Sequence, residues 1–359
     1  MVCLNSMSEK LPKGVATVAH LAEFDAIIDA RAPGEFAEDC LPGALSMPVL
    51  DDEERARVGT LYKQVSVFEA KKLGAALVSK NIARHIEEHL LDKPKTWRPL
   101  VYCWRGGQRS GAFTHILREI GWDAHRLQGG YKSWRQHVVE RLAMLPPQVK
   151  FRVVSGATGS GKSRLLEAIA ARGGQILHLE ALAAHKGSVL GNLPGQPQPA
   201  QKGFESQLLA NISALDLARP VFVEAESRKI GRLHLPDALL NAIRGAPGLR
   251  IEASLAARVE FLLEDYDYAV ADTAWLVERL GHLKGLQSRE TLDRWQALID
   301  ARDFPALVEE LLTQHYDPLY QRSQARNYNS FDAATRHVAL RLDAGSLDRL
   351  AVEILAASA

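Results

Sequence analysis

The eight residues Gly156-Ala157-Thr158-Gly159-Ser160-Gly161-Lys162-Ser163 constrain this chain more than any other stretch. They match GxxxxGK[ST] at every fixed position, and that pattern has meaning only where a strand feeds a glycine turn that opens a helix. The flanks comply. Residues 151–155 form the apolar run of a buried strand, and 161–171 carry the apolar spacing of a helix.

Gly156, Thr158, Gly159, Ser160, Gly161, Lys162 and Ser163 are therefore the candidate phosphate-binding residues. Glycines let successive backbone N–H groups converge on a phosphate, and the helix N-terminus adds partial positive charge. Lys162 would neutralise phosphate oxygens. Ser163 is a candidate magnesium ligand, with Glu224, at the end of the apolar run 221–224, as the second. The motif specifies a phosphorylated ligand but not which one: ATP and a diphosphate ester of an apolar alcohol present the same oxygens.

The first half of the chain alternates apolar runs with helical patterns, which reads as α/β. Residues 24–30 and 100–103 are strand candidates, 70–88 and 109–120 helix candidates, and 124–127 a further short strand. Pro146 and Pro147 remove two backbone donors and should stop a helix, which sets a domain boundary giving 1–145 and 146–359. Beyond it, 221–226 and 250–255 read as strands and the last hundred residues as mostly helical. Residues 187–203, rich in Gly, Pro and Gln, read as a long loop of the kind that often serves as a lid.

A second chemical loop lies at Tyr102-Cys103-Trp104-Arg105-Gly106-Gly107-Gln108-Arg109-Ser110, again between a strand and a helix. Backbone N–H groups at a helix start, with Arg105 and Arg109 nearby, favour the thiolate of Cys103 and hence a nucleophile. Inert cysteines usually sit in apolar surroundings instead. Cys3 and Cys40 have no such setting and read as ordinary thiols. Three cysteines, an odd number with no CxxC pair, support neither a disulfide framework nor a cysteine zinc site.

Residues Ile28-Asp29-Ala30-Arg31-Ala32-Pro33-Gly34-Glu35-Phe36 with Leu41-Pro42-Gly43-Ala44 resemble the front signature of rhodanese domains, and Cys103 matches their persulfide-forming position. Arg109 follows at a C-x5-R spacing, one residue longer than in many simple rhodaneses. The wider loop suits a tetrahedral oxyanion such as selenophosphate, and a cysteine phosphatase is a competing reading of this part alone.

Taken with the phosphate loop, and with Asp52-Glu53-Glu54-Arg55, residues 58–64, Gly129-Gly130-Tyr131-Lys132, His185-Lys186-Gly187-Ser188, residues 201–205 and His315-Tyr316-Asp317-Pro318, the chain resembles the tRNA 2-selenouridine synthases over almost its whole length. The resemblance implies a rhodanese-like α/β domain followed by a P-loop, kinase-like α/β domain with a helical C-terminal part. It implies replacement of the 2-thio sulfur of a wobble uridine in tRNA by selenium from selenophosphate, through an S-geranyl intermediate made from geranyl diphosphate. On that reading Cys103, Arg105 and Arg109 are catalytic and no cofactor is tightly bound. A selenophosphate synthetase would supply the selenium donor.

Arg105, Lys132, Arg135, Lys186, Lys202, Arg228, Lys229 and Arg232 are the candidate phosphate contacts to tRNA, with Trp104 or Tyr131 stacking on an unpaired base. The balance of 44 Lys+Arg against 43 Asp+Glu excludes a basic coat for indiscriminate nucleic-acid binding, so any such surface is local. The lack of a long apolar run, and of an apolar core in residues 1–10, leads us to expect a cytoplasmic protein without membrane contact. The rival reading is an ATP-dependent sulfurtransferase or kinase-like enzyme acting on tRNA or a small molecule, since the strand at 250–255 leading to Arg258 resembles the late strand and helix of small-molecule kinases.

Overall fold

The computed structural model describes residues 12–327 and 334–358. Contacts group the chain into two compact units, Met1–Glu140 with Glu205–Gln207, and Arg141–Phe204 with Leu208–Ala359. Both are α/β, and each holds a five-stranded parallel sheet.

In the first unit β1 (Val15–Ala16), β2 (Ala26–Asp29), β3 (Leu45–Ser46), β4 (Pro99–Tyr102) and β5 (His125–Leu127) lie in the order β1-β5-β4-β2-β3. All four residues of β4 are buried, as expected of a parallel strand covered on both faces. Its neighbour β2 is in register, with Ile28 opposite Val101 and Asp29 opposite Tyr102. Phe113 and Leu117 of the helix Gln108–Ile120 and Ile82 of the helix Val67–His89 join Ile28 and Val101 in one core. That core fixes the carboxyl end of β4, where Cys103 follows.

In the second unit β6 (Phe151–Gly156), β7 (Gln175–Leu177), β8 (Val221–Glu224), β11 (Gly248–Ala253) and β12 (Thr335–Ala339) lie in the order β12-β11-β6-β8-β7. The remaining strands, β9 (Lys229–Ile230) and β10 (Leu233–His234), form a separate antiparallel pair. The helix Lys162–Ala171 opens directly after the phosphate loop and buries Leu165, Leu166 and Ile169 in the sheet core. A helical region follows β11 and builds its own core around Leu276, Leu280, Trp295, Ile299 and Leu307.

The described part of the last hundred residues is mostly helical, as expected, with one strand among the helices: β12 pairs with β11 along its full length. β12 is an edge strand whose first two residues are exposed, so its sequence lacks the continuous apolar run of the central strands. Residues 187–200 are a loop, as expected, crossed by the isolated bridges His185 to Asn192 and Leu193 to Gln196, and the helix Gln201–Ser213 takes the last three residues of the expected range. Among the described residues no helix is long and apolar enough to cross a membrane.

Candidate active site

Cys103 leaves β4 at 3% exposure and lies under a loop that two glycines make possible. Gly106 and Gly130 have φ of 63° and 59°. A Cβ on Gly130 would sit 2.2 Å from the Cys103 carbonyl oxygen and 2.4 Å from the Gly106 nitrogen, so backbone passes where a side chain would otherwise stand. The Tyr131 and Lys132 N–H groups then donate to the carbonyls of Cys103 and Trp104 at 2.8 and 3.0 Å, clamping the loop from below. This is the structural role of the Gly129–Lys132 motif.

The Cys103 sulfur accepts from the Gly107 N–H at 3.3 Å and the Ser110 hydroxyl at 3.2 Å. Burial alone would push the thiol up, but these donors and the Arg109 charge outweigh it and hold the thiol below its ordinary value. Arg109 is not loose over the sulfur: its Nη1 lies 2.9 Å from Glu35, whose carboxyl is held low by that pairing against the pull of burial. Arg105 is exposed. Cys40 is half-buried, and its thiol is pushed up by burial and by the Asp39 and Asp29 charges, as fits an ordinary thiol. Cys3 lies outside the described residues.

Tyr131, expected as a stacking face, is turned inward. It is 2% exposed, its hydroxyl donates to Asp39 at 2.8 Å, and the Arg31 guanidinium covers its ring at 3.9 Å. Trp104 is 36% exposed and 5.3 Å from the Tyr131 ring, and Arg105 and Lys132 are exposed in the same segments. Arg135 is half-buried and paired with Glu205 and Asp39, which turns it inward.

In the second unit the phosphate loop borders a cavity of ≈ 530 Å³ that also takes in Glu180, Lys186, Gly187, Ser188, Glu226, Asp265, Tyr266 and Tyr316. Thr158, Gly159, Gly161, Lys162 and Ser163 line it. Gly156 and Ser160 are buried just behind, and Ser160 Oγ has no hydrogen-bond partner among the described residues. Lys162 Nζ donates to the carbonyls of Gly156 and Ala157 at 2.8 and 3.3 Å, and burial lowers its pKa against the opposing charges of Glu180 and Glu226. Arg258 secures the loop from outside: Nε donates to the Thr158 carbonyl at 2.8 Å while both terminal nitrogens grip Asp317 at 3.0 and 2.6 Å. The Asp317 motif thus serves the phosphate loop, and Arg258 is occupied with holding it.

Glu224 is not the partner of Ser163. It is fully buried, with Oε2 accepting the Leu179 N–H at 2.9 Å and Oε1 paired with His178 Nδ1 at 2.6 Å. The Ser163 hydroxyl donates instead to Glu180 Oε2 at 2.8 Å. Glu180 and Glu226 are both pushed up by burial and by neighbouring carboxylates, Glu226 well above the usual range. No pattern in the sequence singled out Glu180, because it comes from the short helix Leu179–Ala183 after β7 and meets Ser163 only through the sheet order.

Beside this polar cavity runs a narrow apolar one of ≈ 60 Å³, walled by Leu190, Leu262, Leu263, Ala269, Val270, Leu276, Phe304, Leu307, Val308, Leu311 and Leu312. Thr158, Ser188, Leu262, Tyr266 and Tyr316 line both.

The model of the rhodanese-like domain matches residues 15–137, and that of the tRNA 2-selenouridine synthase AAA domain matches 149–291. The tRNA 2-selenouridine synthase of Alcanivorax borkumensis is 33% identical over 84% of this chain and 90% of its own length. The chain belongs to the tRNA 2-selenouridine synthase family. The synthase of Bdellovibrio bacteriovorus is 36% identical over 84% of the chain and 89% of itself. That of Nitrosomonas europaea is 41% identical over 67% of the chain, and this match spans 63% of the Nitrosomonas protein, just under two thirds. Among solved structures, the N-terminal domain of a putative ATP/GTP binding protein from Clostridium difficile 630 aligns at 32% identity and a TM-score of 0.31, over 34% of this chain and 98% of that one.

The remaining residues expected at RNA in this family member fall in its second unit. Arg228, Lys229 and Arg232 are exposed on and around the β9–β10 pair, with Arg228 2.9 Å from Asp237. Lys202 is half-buried at the start of the helix Gln201–Ser213, which Gln201 ties to His234. Lys186 is elsewhere, inside the phosphate-loop cavity.

Proposed function

We propose that this chain converts wobble 2-thiouridine in tRNA to 2-selenouridine with selenophosphate, through an S-geranyl-2-thiouridine intermediate made from geranyl diphosphate. The observation that carries the prenyl step is the apolar cavity opening off the phosphate loop at Thr158, Tyr266 and Tyr316. A nucleoside would leave its base and ribose polar groups unpaired among leucines, whereas an alkyl chain gains about 0.8 kcal/mol per buried methylene.

The phosphate loop and Lys162 hold the diphosphate and stabilise the charge that builds on it as the C–O bond breaks and sulfur takes the prenyl carbon. Ser163 and Glu180, adjacent through their hydrogen bond, are the hydroxyl and carboxylate that fit a magnesium ion brought in with the diphosphate; one or two carboxylates plus substrate phosphates is its usual set. Bound there, the ion would supply further charge neutralisation. S-alkylation turns a poor leaving group into a thiol that departs when selenium attacks C2. Cys103, with its hydrogen-bonded sulfur, is the nucleophile toward the selenium donor: its thiolate takes the phosphoryl group of selenophosphate as the P–Se bond breaks, the selenide released attacks C2, and water returns the S-phosphoryl group to phosphate.

Incubation of the protein with 2-thiouridine tRNA and geranyl diphosphate, then with selenophosphate, followed by nucleoside mass spectrometry, tests this directly. We expect S-geranyl-2-thiouridine first and 2-selenouridine second, both without ATP. An absolute ATP requirement with every other substrate supplied would move the reading to the ATP-dependent sulfurtransferase.

A further inference from the structure

Three Lys or Arg side chains line the phosphate-loop cavity among the described residues: Lys162, Arg164 and Lys186. Lys162 is tied to two loop carbonyls. Arg164 is exposed and bound to Asp265 and Glu167. Lys186 is different: it is half-buried, and Asp265 takes two of its donors, through the backbone carbonyl at 2.5 Å and Oδ2 at 2.6 Å. An ammonium has three N–H donors, so among the described residues one remains for an oxyanion. Its carboxylate partner is shared, because Asp265 also serves Arg164 through its other oxygen.

Its position is equally specific. The segment from His185 to Asn192 is folded back on itself, with Lys186 N–H donating to the Gly191 carbonyl at 2.8 Å. A Cβ on Gly187 would meet Glu180 at 2.8 Å and Glu226 at 3.2 Å, so this backbone lies against the carboxyl pair beside Ser163. Lys186 Nζ stands 4.2 Å from the centre of the Tyr266 ring, and Tyr266 walls both the polar and the apolar cavity. The ammonium is therefore at the junction where a diphosphate would end and an alkyl chain begin.

We propose that Lys186 is a second cationic grip on the diphosphate of the prenyl donor, opposite the phosphate loop, and not a contact to tRNA; this rests on the prenyl-diphosphate reading above. Two phosphoryl groups facing a cavity that also contains the Asp265 carboxylate are better neutralised by two ammonium groups than by one. Lys186, held by Asp265 and by the Tyr266 ring, supplies the second without having to be ordered on binding.

Lys186→Met keeps the apolar stem against Tyr266 and removes the charge. In the full-length protein we expect it to weaken binding of inorganic diphosphate by about tenfold, as loss of one charge-assisted contact does, and to raise the KM for geranyl diphosphate in parallel. Affinity for tRNA should stay within about twofold of wild type, unlike the loss expected from a phosphate contact. Lys186→Arg should recover most of the diphosphate affinity. Unchanged diphosphate binding, or a tRNA defect as large as the diphosphate defect, would overturn the proposal. The prenyl reading fails separately: wild-type protein would then bind geranyl diphosphate no more tightly than inorganic diphosphate, whatever Lys186 does.

Discussion

The cysteine loop and the phosphate loop use the same backbone device and put it to opposite electrostatic ends. Each follows a buried parallel strand, turns on glycines with positive φ and opens a helix. At Cys103 the surrounding donors outweigh burial and favour the charged thiolate. At the phosphate loop burial wins: the Lys162 ammonium is weakened, and Glu180 and Glu226 are pushed toward their protonated forms. The two glycine loops thus differ in what prevails around them, local donors at the sulfur and burial at Lys162 and the two carboxyls.

The largest effects should come from cutting one loop and leaving the other. On the proposed reading Cys103→Ala abolishes selenation, by more than about 10³-fold, as removal of a nucleophile does, while S-geranylation persists. Equal loss of both products in a folded mutant would erase the division between the loops. Lys162→Ala is the converse, lowering S-geranylation by about 10²–10³-fold, the scale for removing one charge-stabilising donor. Selenation of tRNA geranylated beforehand should stay near normal, because the diphosphate has already gone. Parallel loss there would mean that the phosphate loop acts throughout the reaction.

A smaller effect sharpens the electrostatic contrast. Ser110→Ala removes one donor from the Cys103 sulfur, and a hydrogen bond to a charged group is worth about 1.5–3 kcal/mol, so the midpoint of Cys103 alkylation against pH should rise by about one unit or more. An unmoved midpoint would assign the thiolate to Arg109 and the backbone alone. The smallest effect runs the other way. Glu226 has a raised pKa in the folded state, so its contribution to stability is complete below the ordinary carboxyl range and is lost as pH climbs through the raised value. Glu226→Gln should therefore raise the thermal midpoint by about 2–4 °C at pH 8, the shift for roughly 1 kcal/mol in a domain of this size, and by less at pH 5. A lower midpoint at both pH values would show that the Glu226 carboxylate is stabilised by its neighbours.

Much of this molecule was legible along the chain because its chemistry is written in contiguous segments. A strand, a glycine turn and a helix start are consecutive residues, so Cys103 and the 156–163 loop could be placed without a fold. The α/β class followed from the same runs. Residues 315–318 were legible only as part of a resemblance; their physical task, Asp317 gripping Arg258 behind Thr158, joins three distant segments. Tyr131 looked like a stacking face by type and lies buried over Arg31. Lys186 looked like one more basic residue and lies inside a cavity.

By itself the sequence determined the fold class of both units and the places of two strand–glycine turn–helix loops, and it named the candidates for nucleophile and phosphate cradle, since each depends on local backbone geometry and residue type. Only the tertiary structure decided which side chains face those loops. The order β11-β6-β8-β7 brings Glu180 to Ser163 and leaves Glu224 bonded to His178 and Leu179. The helical region after β11 sets an apolar cavity beside the phosphate loop. These are contacts between residues from 17 to more than a hundred positions apart. Periodicity and motif spacing report only on near neighbours, so which carboxylate meets which hydroxyl is settled by packing.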